Sequence, residues 1–355
     1  MTKAKKRFLV VLTLGFAILF ILSQFVRIPY ILKQASFQVE LLWGRIPIDE
    51  AIQTHSFTPS QLKNLERLPN IKSFGKAFGL KATDNYSRIN PTFHRTIWNV
   101  SACDPLAFKP RRWWFPIVGN VPYLGFFEKE AADSEINALS VEGLDTYLST
   151  AGAYSTLGWF EDPILPSMLD WSEYSFSNTI LHELAHATVW LPGSVQFNES
   201  FANFIGDTAS MQYMEETYGA DSPKVLMLKQ RISDRKKFRM ILVQLYADLN
   251  AVYTDETRTN GEKKEQKAFL FDQLPTRVKE AGLFNEEIYL KQVQKGTWNN
   301  ARMMQFRTYN RSREWFQTLY ARENRDLSAF IRRLEDIVSN ASDPYDALET
   351  AINQP

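Results

Sequence analysis

The pattern H-E-x-x-H at residues 182–186 constrains the fold of this chain more than any other feature of its sequence. It lies in a segment with apolar residues at helical spacing, which predicts a helix. Those residues are Phe176, Ile180, Leu184 and Ala187. On a helix, side chains four residues apart share a face, so His182 and His186 would present two imidazoles to one metal ion. Glu183 lies about 100° around the axis from His182. The sequence therefore predicts a helix that carries a zinc site with Glu183 beside the metal.

A third zinc ligand must come from outside this pattern, because a catalytic zinc site has three protein ligands and one open position. The chain has four histidines, and the other two, His55 and His94, lie far upstream. A carboxylate is therefore predicted, and Glu199 follows His186 by thirteen residues, after a Pro192-Gly193 turn, at the start of a second predicted helix. Small residues on roughly the same face would let the two helices approach closely: Ala202, Gly206 and Ala209.

The predicted site implies roles for further residues. Glu183 is the predicted general base for a water activated by Zn²⁺, and it would pass the proton to a leaving amine. A hydrogen-bond donor for the developing oxyanion is also required, and a backbone amide or one of four side chains could supply it. These side chains are Tyr154, Tyr309, Arg302 and Arg307. Asn203, with Asp207 behind it, is predicted to orient the imidazoles.

Charge and cysteine content exclude several classes of protein. The 41 Lys and Arg residues balance 40 Asp and Glu residues, for a net charge of +1, so no nucleic-acid partner is predicted. Cys103 is the only cysteine, which excludes an internal disulfide and a cysteine-rich metal site. The hydrophobic fraction of 45% is enough for a large core.

The N-terminal 33 residues predict a signal anchor. An uncharged, apolar stretch at residues 8–26 follows four basic residues, Lys3, Lys5, Lys6 and Arg7. Because no small-residue cleavage site and no cysteine for lipid attachment follows it, an uncleaved transmembrane helix is favoured over a cleaved signal peptide. The basic residues before the stretch predict a single-pass protein with residues 34–355 on the extracytoplasmic, periplasmic side.

Hydrophobic periodicity predicts an α+β fold that is mainly helical, with one small sheet and a long helical hairpin. The H-E-x-x-H motif is typical of the zincin-like fold. No internal repeat is present, and residues 34–355 are expected to form one sizeable domain or two closely packed lobes. Its predicted parts are a small sheet at about 85–160, active-site helices at about 172–218, a hairpin at about 224–281 and C-terminal helices at 297–355.

Several motifs are shared with a known family. They include residues 115–127, 153–163, 197–202 and 299–301, together with Tyr309. With the H-E-L-A-H segment, they make nearly the whole chain after the apolar stretch resemble the bacterial predicted aminopeptidase family. Residues 198–202 are also similar to the N-E-x-F-A ligand helix of the gluzincin metallopeptidases, a similarity that supports Glu199 as the third ligand. Two features depart from these families: no cysteine for lipid attachment is present, and the spacing from His186 to Glu199 is shorter than in the better-known gluzincins.

The resemblance implies hydrolysis of peptides from the N-terminus. The predicted strand at residues 153–158 would pair with the substrate backbone, with Ala153, Ser155 and Gly158 as the binding residues. Glu161 or Asp162 would anchor the free amine. Two alternatives stay open: an endopeptidase or cell-wall amidase, and a non-catalytic, membrane-tethered binding module that is stabilised by zinc.

Overall fold

The computed structural model describes residues 27–81, 83–115, 119–151, 162–308 and 313–353. Fourteen helices are found among these residues. They are α1 Ile28–Trp43, α2 Ile48–Thr54, α3 Pro59–Ala77, α4 Lys129–Val141, α5 Glu173–Thr188, α6 Val195–Tyr218, α7 Pro223–Thr254, α8 Asn260–Asp272, α9 Leu274–Glu280, α10 Glu286–Gln294, α11 Asn300–Thr308, α12 Arg313–Arg322, α13 Leu327–Val338 and α14 Pro344–Asn353. A short 3₁₀ helix, Pro166–Asp170, precedes α5.

The described strands form three small antiparallel sheets, where the sequence predicted one. The strands are β1 Ile46–Pro47, β2 Arg88–Ile89, β3 Ile97–Cys103, β4 Trp113–Phe115, β5 Gly119–Val121, β6 Leu124–Phe126 and β7 Asp145–Ala151. The largest sheet has the order β6-β3-β7, and Val100 in its central strand pairs with Leu124 on one side and Leu148 on the other. The pairs β1-β2 and β4-β5 form the other two sheets.

Helix α4 covers one face of the three-stranded sheet. Its buried residues Ala132 and Leu139 pack against Val100 and Leu124, and these four side chains belong to one hydrophobic cluster. Burying one face of an antiparallel sheet beneath a helix leaves the other face available for different contacts.

The main hydrophobic core surrounds α5 and α6. Phe197, Phe201 and Phe204 of α6 are almost fully buried, and all three rings contact Phe316 of α12. Phe330 of α13 stacks on Phe201 and lies against Phe204. Because large aromatic side chains contribute most to core packing, this cluster fixes α6 firmly against the C-terminal helices.

The long helical hairpin has a second, smaller core. Helix α7 runs for 32 residues, and α8 and α9 return along it. The sequence predicted a hairpin at about 224–281, and its returning arm is divided at Gln273 into α8 and α9. Pro275 stands in the first turn of α9, where its missing N–H does not interrupt a helical hydrogen bond; inside a continuous helix it would.

The predicted membrane helix is the main error in the expected fold. No helix formed by the described residues is both long and apolar enough to cross a bilayer. The predicted segment, residues 8–26, lies outside the described residues. The fold described is thus mainly helical with small sheets, and the predicted transmembrane element and single-pass location are wrong for the part of the chain that the structure describes.

Candidate metal centre

Helix α5 carries both histidines of the H-E-x-x-H pattern. The Ser172 hydroxyl accepts a hydrogen bond from the backbone N–H of Ser175, which caps the start of the helix. The apolar face predicted from the sequence is buried, since Phe176 and Ile180 have no exposed surface. The burial of this face orients the opposite side of the helix, which carries His182 and His186, towards α6.

Asn198 holds the loop between α5 and α6 in place through two hydrogen bonds. Its side-chain oxygen accepts a hydrogen bond from the Leu191 N–H at 3.0 Å, and its side-chain nitrogen donates to the Leu191 carbonyl at 2.9 Å. Both backbone groups of Leu191 are therefore satisfied by one amide. This arrangement returns α6 antiparallel to α5 and brings Glu199, the next residue, to the two histidines.

The two helices approach each other closely at Gly206. A Cβ atom at this position would lie 2.9 Å from the backbone oxygen of Asn178 and 3.2 Å from the Cβ atom of His182. Ala202 and Ala209, on the same face, have no exposed surface. The predicted small residues thus lie against α5, and the absence of a side chain at Gly206 permits the close approach there.

Replacing Gly206 by Ala is expected to push α6 away from α5. The added methyl group meets backbone that cannot move aside, so the substitution should cost about 1–3 kcal/mol of stability and weaken zinc binding. Thermal unfolding and a competitive zinc titration would measure the two effects. The matched control is Gly261→Ala in α8, where the nearest atom is 3.8 Å away and stability should not fall. Unchanged zinc affinity in Gly206→Ala would contradict this role.

Three possible ligand side chains converge between α5 and α6. The Nε2 atoms of His182 and His186 lie 3.1 Å apart, and the Glu199 carboxylate oxygens lie 3.7 Å from the first and 3.5 Å from the second. Among the described residues, this is the one group of histidine, cysteine and acidic side chains suited to holding a metal. Ligands about 2.1 Å from a tetrahedral zinc ion lie about 3.4 Å apart. The three distances fit such an ion.

Burial keeps both imidazoles neutral. It lowers the pKa of His182 to about 4, and, together with the neighbouring His182, it lowers the pKa of His186 to about 3. The Ala202 carbonyl accepts a hydrogen bond from the His182 ring, which leaves the nitrogen facing His186 free of a proton. Trp190 stands edge-on to His186, with 5.6 Å between ring centroids. Neutral rings with convergent lone pairs are the form that binds a metal ion.

Burial has the opposite effect on the two carboxyl groups. It raises the pKa of Glu199 to about 7. For Glu183, burial and then the charges of Glu199 and Asp162 raise the pKa to about 8. A carboxyl group that binds its proton this readily is suited to act as a general base near neutral pH.

The chain as a whole matches a family. The model of the putative aminopeptidase family covers residues 29–345. The chain belongs to this family. The resemblance to predicted aminopeptidases is thus confirmed, and the description of the putative aminopeptidase family indicates a peptidase. The chain has no match among the curated proteins and none among the solved structures.

The residues predicted to orient the imidazoles have different surroundings. The side-chain nitrogen of Asn203 is buried and has no hydrogen-bond partner within the described residues. Asp207 accepts hydrogen bonds from Asn178 at 2.9 Å and Tyr174 at 3.3 Å, and it pairs with Arg313 at 2.7 Å. The backbone carbonyl of Ala202 is hydrogen-bonded to the His182 ring, and the roles of Asn203 and Asp207 stay predictions.

The structure describes only some of the other predicted site residues. Arg302 lies over the Trp298 ring at 3.9 Å and donates to backbone carbonyls, so it is engaged away from the metal ligands. The backbone of Arg307 lies in α11. Five predicted site residues and one predicted amine anchor lie outside the described residues: Ala153, Tyr154, Ser155, Gly158, Tyr309 and Glu161.

Two tyrosines near the site were not predicted from the sequence. Desolvation of the hydroxyl, and then the charges of Glu199 and Glu183, raise the pKa of Tyr123, which lies between β5 and β6. The residue as a whole is 41% exposed. Burial and then the Glu183 charge raise the pKa of Tyr86. Tyr123 lies in residues 115–127, one of the stretches that resemble the putative aminopeptidase family. That resemblance could have indicated that Tyr123 lies near the site. The sequence around Tyr86 gave no such indication.

Proposed function

We propose that this protein is a zinc-dependent aminopeptidase with Glu183 as its general base. The proposal rests on one observation above all, the convergence of two neutral imidazoles and a carboxylate beside a second, buried carboxyl group. His182, His186 and Glu199 would hold the ion. The chemistry that Zn²⁺ supplies when bound at such a site is Lewis acidity toward water and toward a peptide carbonyl.

Each residue then has a defined task. The Ala202 carbonyl holds the ring of His182 in the tautomer that leaves Nε2 available, and Gly206 keeps Glu199 in range. Glu183 takes a proton from the attacking water and delivers it to the amine that leaves. Its burial strengthens the electrostatic interactions made there. Membership of the putative aminopeptidase family supports cleavage at the N-terminal end of a peptide.

A comparison of blocked and free substrates tests this function. The full chain, loaded with zinc, would be assayed on fluorogenic amino-acid amides and on the same compounds with an acetylated N-terminus. We expect hydrolysis of the free amides and at least a 100-fold lower rate on the blocked ones, because an exopeptidase requires the charged amine. Activity only on blocked substrates would reject the aminopeptidase assignment, and an endopeptidase or amidase would replace it. Stoichiometric zinc without hydrolysis of any peptide would favour a binding protein.

Zinc affinity should depend on pH through one proton. The raised pKa of Glu199 keeps that carboxyl group protonated below about pH 7, so zinc binding must release its proton there. Affinity should fall about ten-fold for each pH unit from pH 7 to pH 5. The lowered pKa values of His182 and His186, about 4 and 3, mean that neither imidazole competes in this range. Zinc titrations at several pH values would measure the slope. A two-proton slope that begins near pH 6.5 would show instead that the histidines titrate normally.

A further inference from the structure

Two half-exposed apolar side chains lie beside the proposed metal ligands. Trp190 is 42% exposed, and its ring stands edge-on to His186, with 5.6 Å between the ring centroids. Val195 is 49% exposed and precedes Glu199 by four residues on α6, so the two side chains share a face of that helix. Single exposed apolar residues are common on protein surfaces, but two of them at the edge of a candidate metal centre are typical of a binding site.

The antiparallel packing of α5 and α6 places both side chains at the same end of the metal centre. Successive pairs of neighbours between the two helices rise in number along α5 and fall in number along α6. These pairs are Asn178 with Asp207, His182 with Gly206, and His186 with Glu199. Trp190 follows His186 by four residues, just beyond the end of α5, and Val195 precedes Glu199 by the same interval. Both side chains therefore lie just past the ligands, at the end where the two helices are connected.

The connection between the two helices is held by hydrogen bonds on both sides of Trp190. The Val189 N–H donates to the Ala185 carbonyl at 2.9 Å, and the Val189 side chain is buried. Both backbone groups of Leu191 are bonded to the Asn198 side chain. The indole is therefore fixed beside His186 with part of its surface open to solvent, and a ligand that covers this surface does not have to order the loop first.

The same connection carries no charge. Residues 187–198, which separate the second histidine from Glu199, contain no Asp, Glu, Lys, Arg or His. A charged side chain placed against this segment would lose water without gaining an ion pair from it. An apolar side chain would instead cover exposed surface of Trp190 and Val195, which is favourable because apolar surface leaves water. The chemistry of the segment thus favours an apolar group.

We propose that Trp190 and Val195 form a specificity subsite that receives the apolar side chain of a substrate residue next to the scissile bond. The inference rests on the proposed function, because the subsite is defined relative to the bond that the metal centre would cleave. A leucine or phenylalanine side chain covers more of the indole than alanine does, and lysine or glutamate brings a charge that the subsite does not match. The protein should therefore select large apolar residues.

The specificity of Trp190→Ala tests the subsite. The zinc-loaded full chain would be assayed on two series of peptide amides, one varied at the N-terminal residue and the other at the second residue. In one series, kcat/KM for leucine should exceed that for alanine by at least about ten-fold, because a single methylene in an apolar pocket changes the rate by about that factor or more. Trp190→Ala should lower this ratio about ten-fold. The matched control is Trp43→Ala, since Trp43 is an 88% exposed residue of α1 and its removal should leave the ratio unchanged.

Val195→Phe provides a second test that keeps Trp190 and its contact with His186. The larger side chain occupies space in the subsite, so the ratio of leucine to alanine should fall about five-fold. Because Val195 is exposed, the added ring meets solvent and should not disturb folding, which thermal unfolding and zinc content would verify. An equal loss on every substrate in Trp190→Ala would mean that the indole only orients His186. That result, or an unchanged ratio in both variants, would overturn the proposal.

A binding measurement tests the subsite without any turnover. Hydroxamic acids bind zinc through their own oxygen atoms, so leucine hydroxamic acid and glycine hydroxamic acid differ only in the side chain that they present. Calorimetric titration of the zinc-loaded protein should give a dissociation constant about ten-fold lower for the leucine compound, and Trp190→Ala should reduce the difference to about two-fold. Equal affinities, or no binding of either compound, would refute the subsite. If the protein hydrolyses no peptide, the proposed function fails, yet this titration still decides whether Trp190 selects an apolar side chain.

Discussion

Replacing Glu183 by Gln is expected to lower kcat by about 1,000-fold while leaving the zinc content unchanged, because general acid–base catalysis contributes about 10²–10⁴-fold. Glutamine has nearly the same shape as glutamate but cannot take a proton from water. The carboxyl group is not among the three converging ligands, so metal binding should survive. Steady-state kinetics and metal analysis of the same protein preparation would measure both quantities.

Glu216→Gln is the matched control for this substitution, since Glu216 is an exposed glutamate on α6. It should leave kcat and zinc content unchanged.

The stability of Glu183→Gln provides a second check. Because the folded pKa of Glu183 is raised to about 8, its ionisation destabilises the metal-free protein as the pH rises from about 5 towards 9. Glu183→Gln should therefore become more stable than the original protein over that range. Full activity in Glu183→Gln would show that Glu183 is not the general base.

Replacing Glu199 by Gln is expected to weaken zinc binding by about 1,000-fold, more than the 10–100-fold that follows loss of an outer hydrogen-bonding partner. The carboxylate provides the only negative charge among the three ligands, and an amide oxygen replaces it poorly. Competition with a chelator of known affinity would give the dissociation constants. The pH dependence of zinc binding between pH 5 and pH 7 should also disappear, because the proton that competes with zinc belongs to Glu199.

Asp207→Asn is a suitable control for Glu199→Gln. Asp207 lies on the same helix, but its carboxylate is engaged with Asn178, Tyr174 and Arg313. We expect a loss of stability with zinc affinity nearly unchanged. If Glu199→Gln kept the original affinity while Asp207→Asn lost it, the carboxylate ligand would have to be reassigned.

The local parts of the site could be read from the sequence. Helical spacing around Ile180 and Leu184 predicted α5, and the placement of Glu199 after a Pro-Gly turn predicted that α6 folds back. These patterns are reliable because the residues involved are close in sequence and the periodicity records which face is buried. The small residues facing α5 carried the same kind of information.

The parts of the site that depend on distant contacts could not be read in this way. Residues 85–88 pair with residues 162–164, and no local periodicity encodes that pairing. The Ala202 carbonyl is a backbone group that every residue type has, so the sequence does not indicate its role. Asn203 was predicted for that role from its side chain alone. The transmembrane helix was predicted from composition, and the described helices contain none.

The short connection between α5 and α6, which the Asn198 side chain holds through two hydrogen bonds to Leu191, affects the order in which the protein folds. All three proposed ligands lie within residues 182–199, so bringing them together closes only a short loop and costs little chain entropy. Contacts between such near neighbours form early, whereas the pairing of Tyr86 with residue 162 spans a much longer stretch of chain. In a nascent or partly unfolded chain, the three proposed ligands should therefore come together before the remote segments dock.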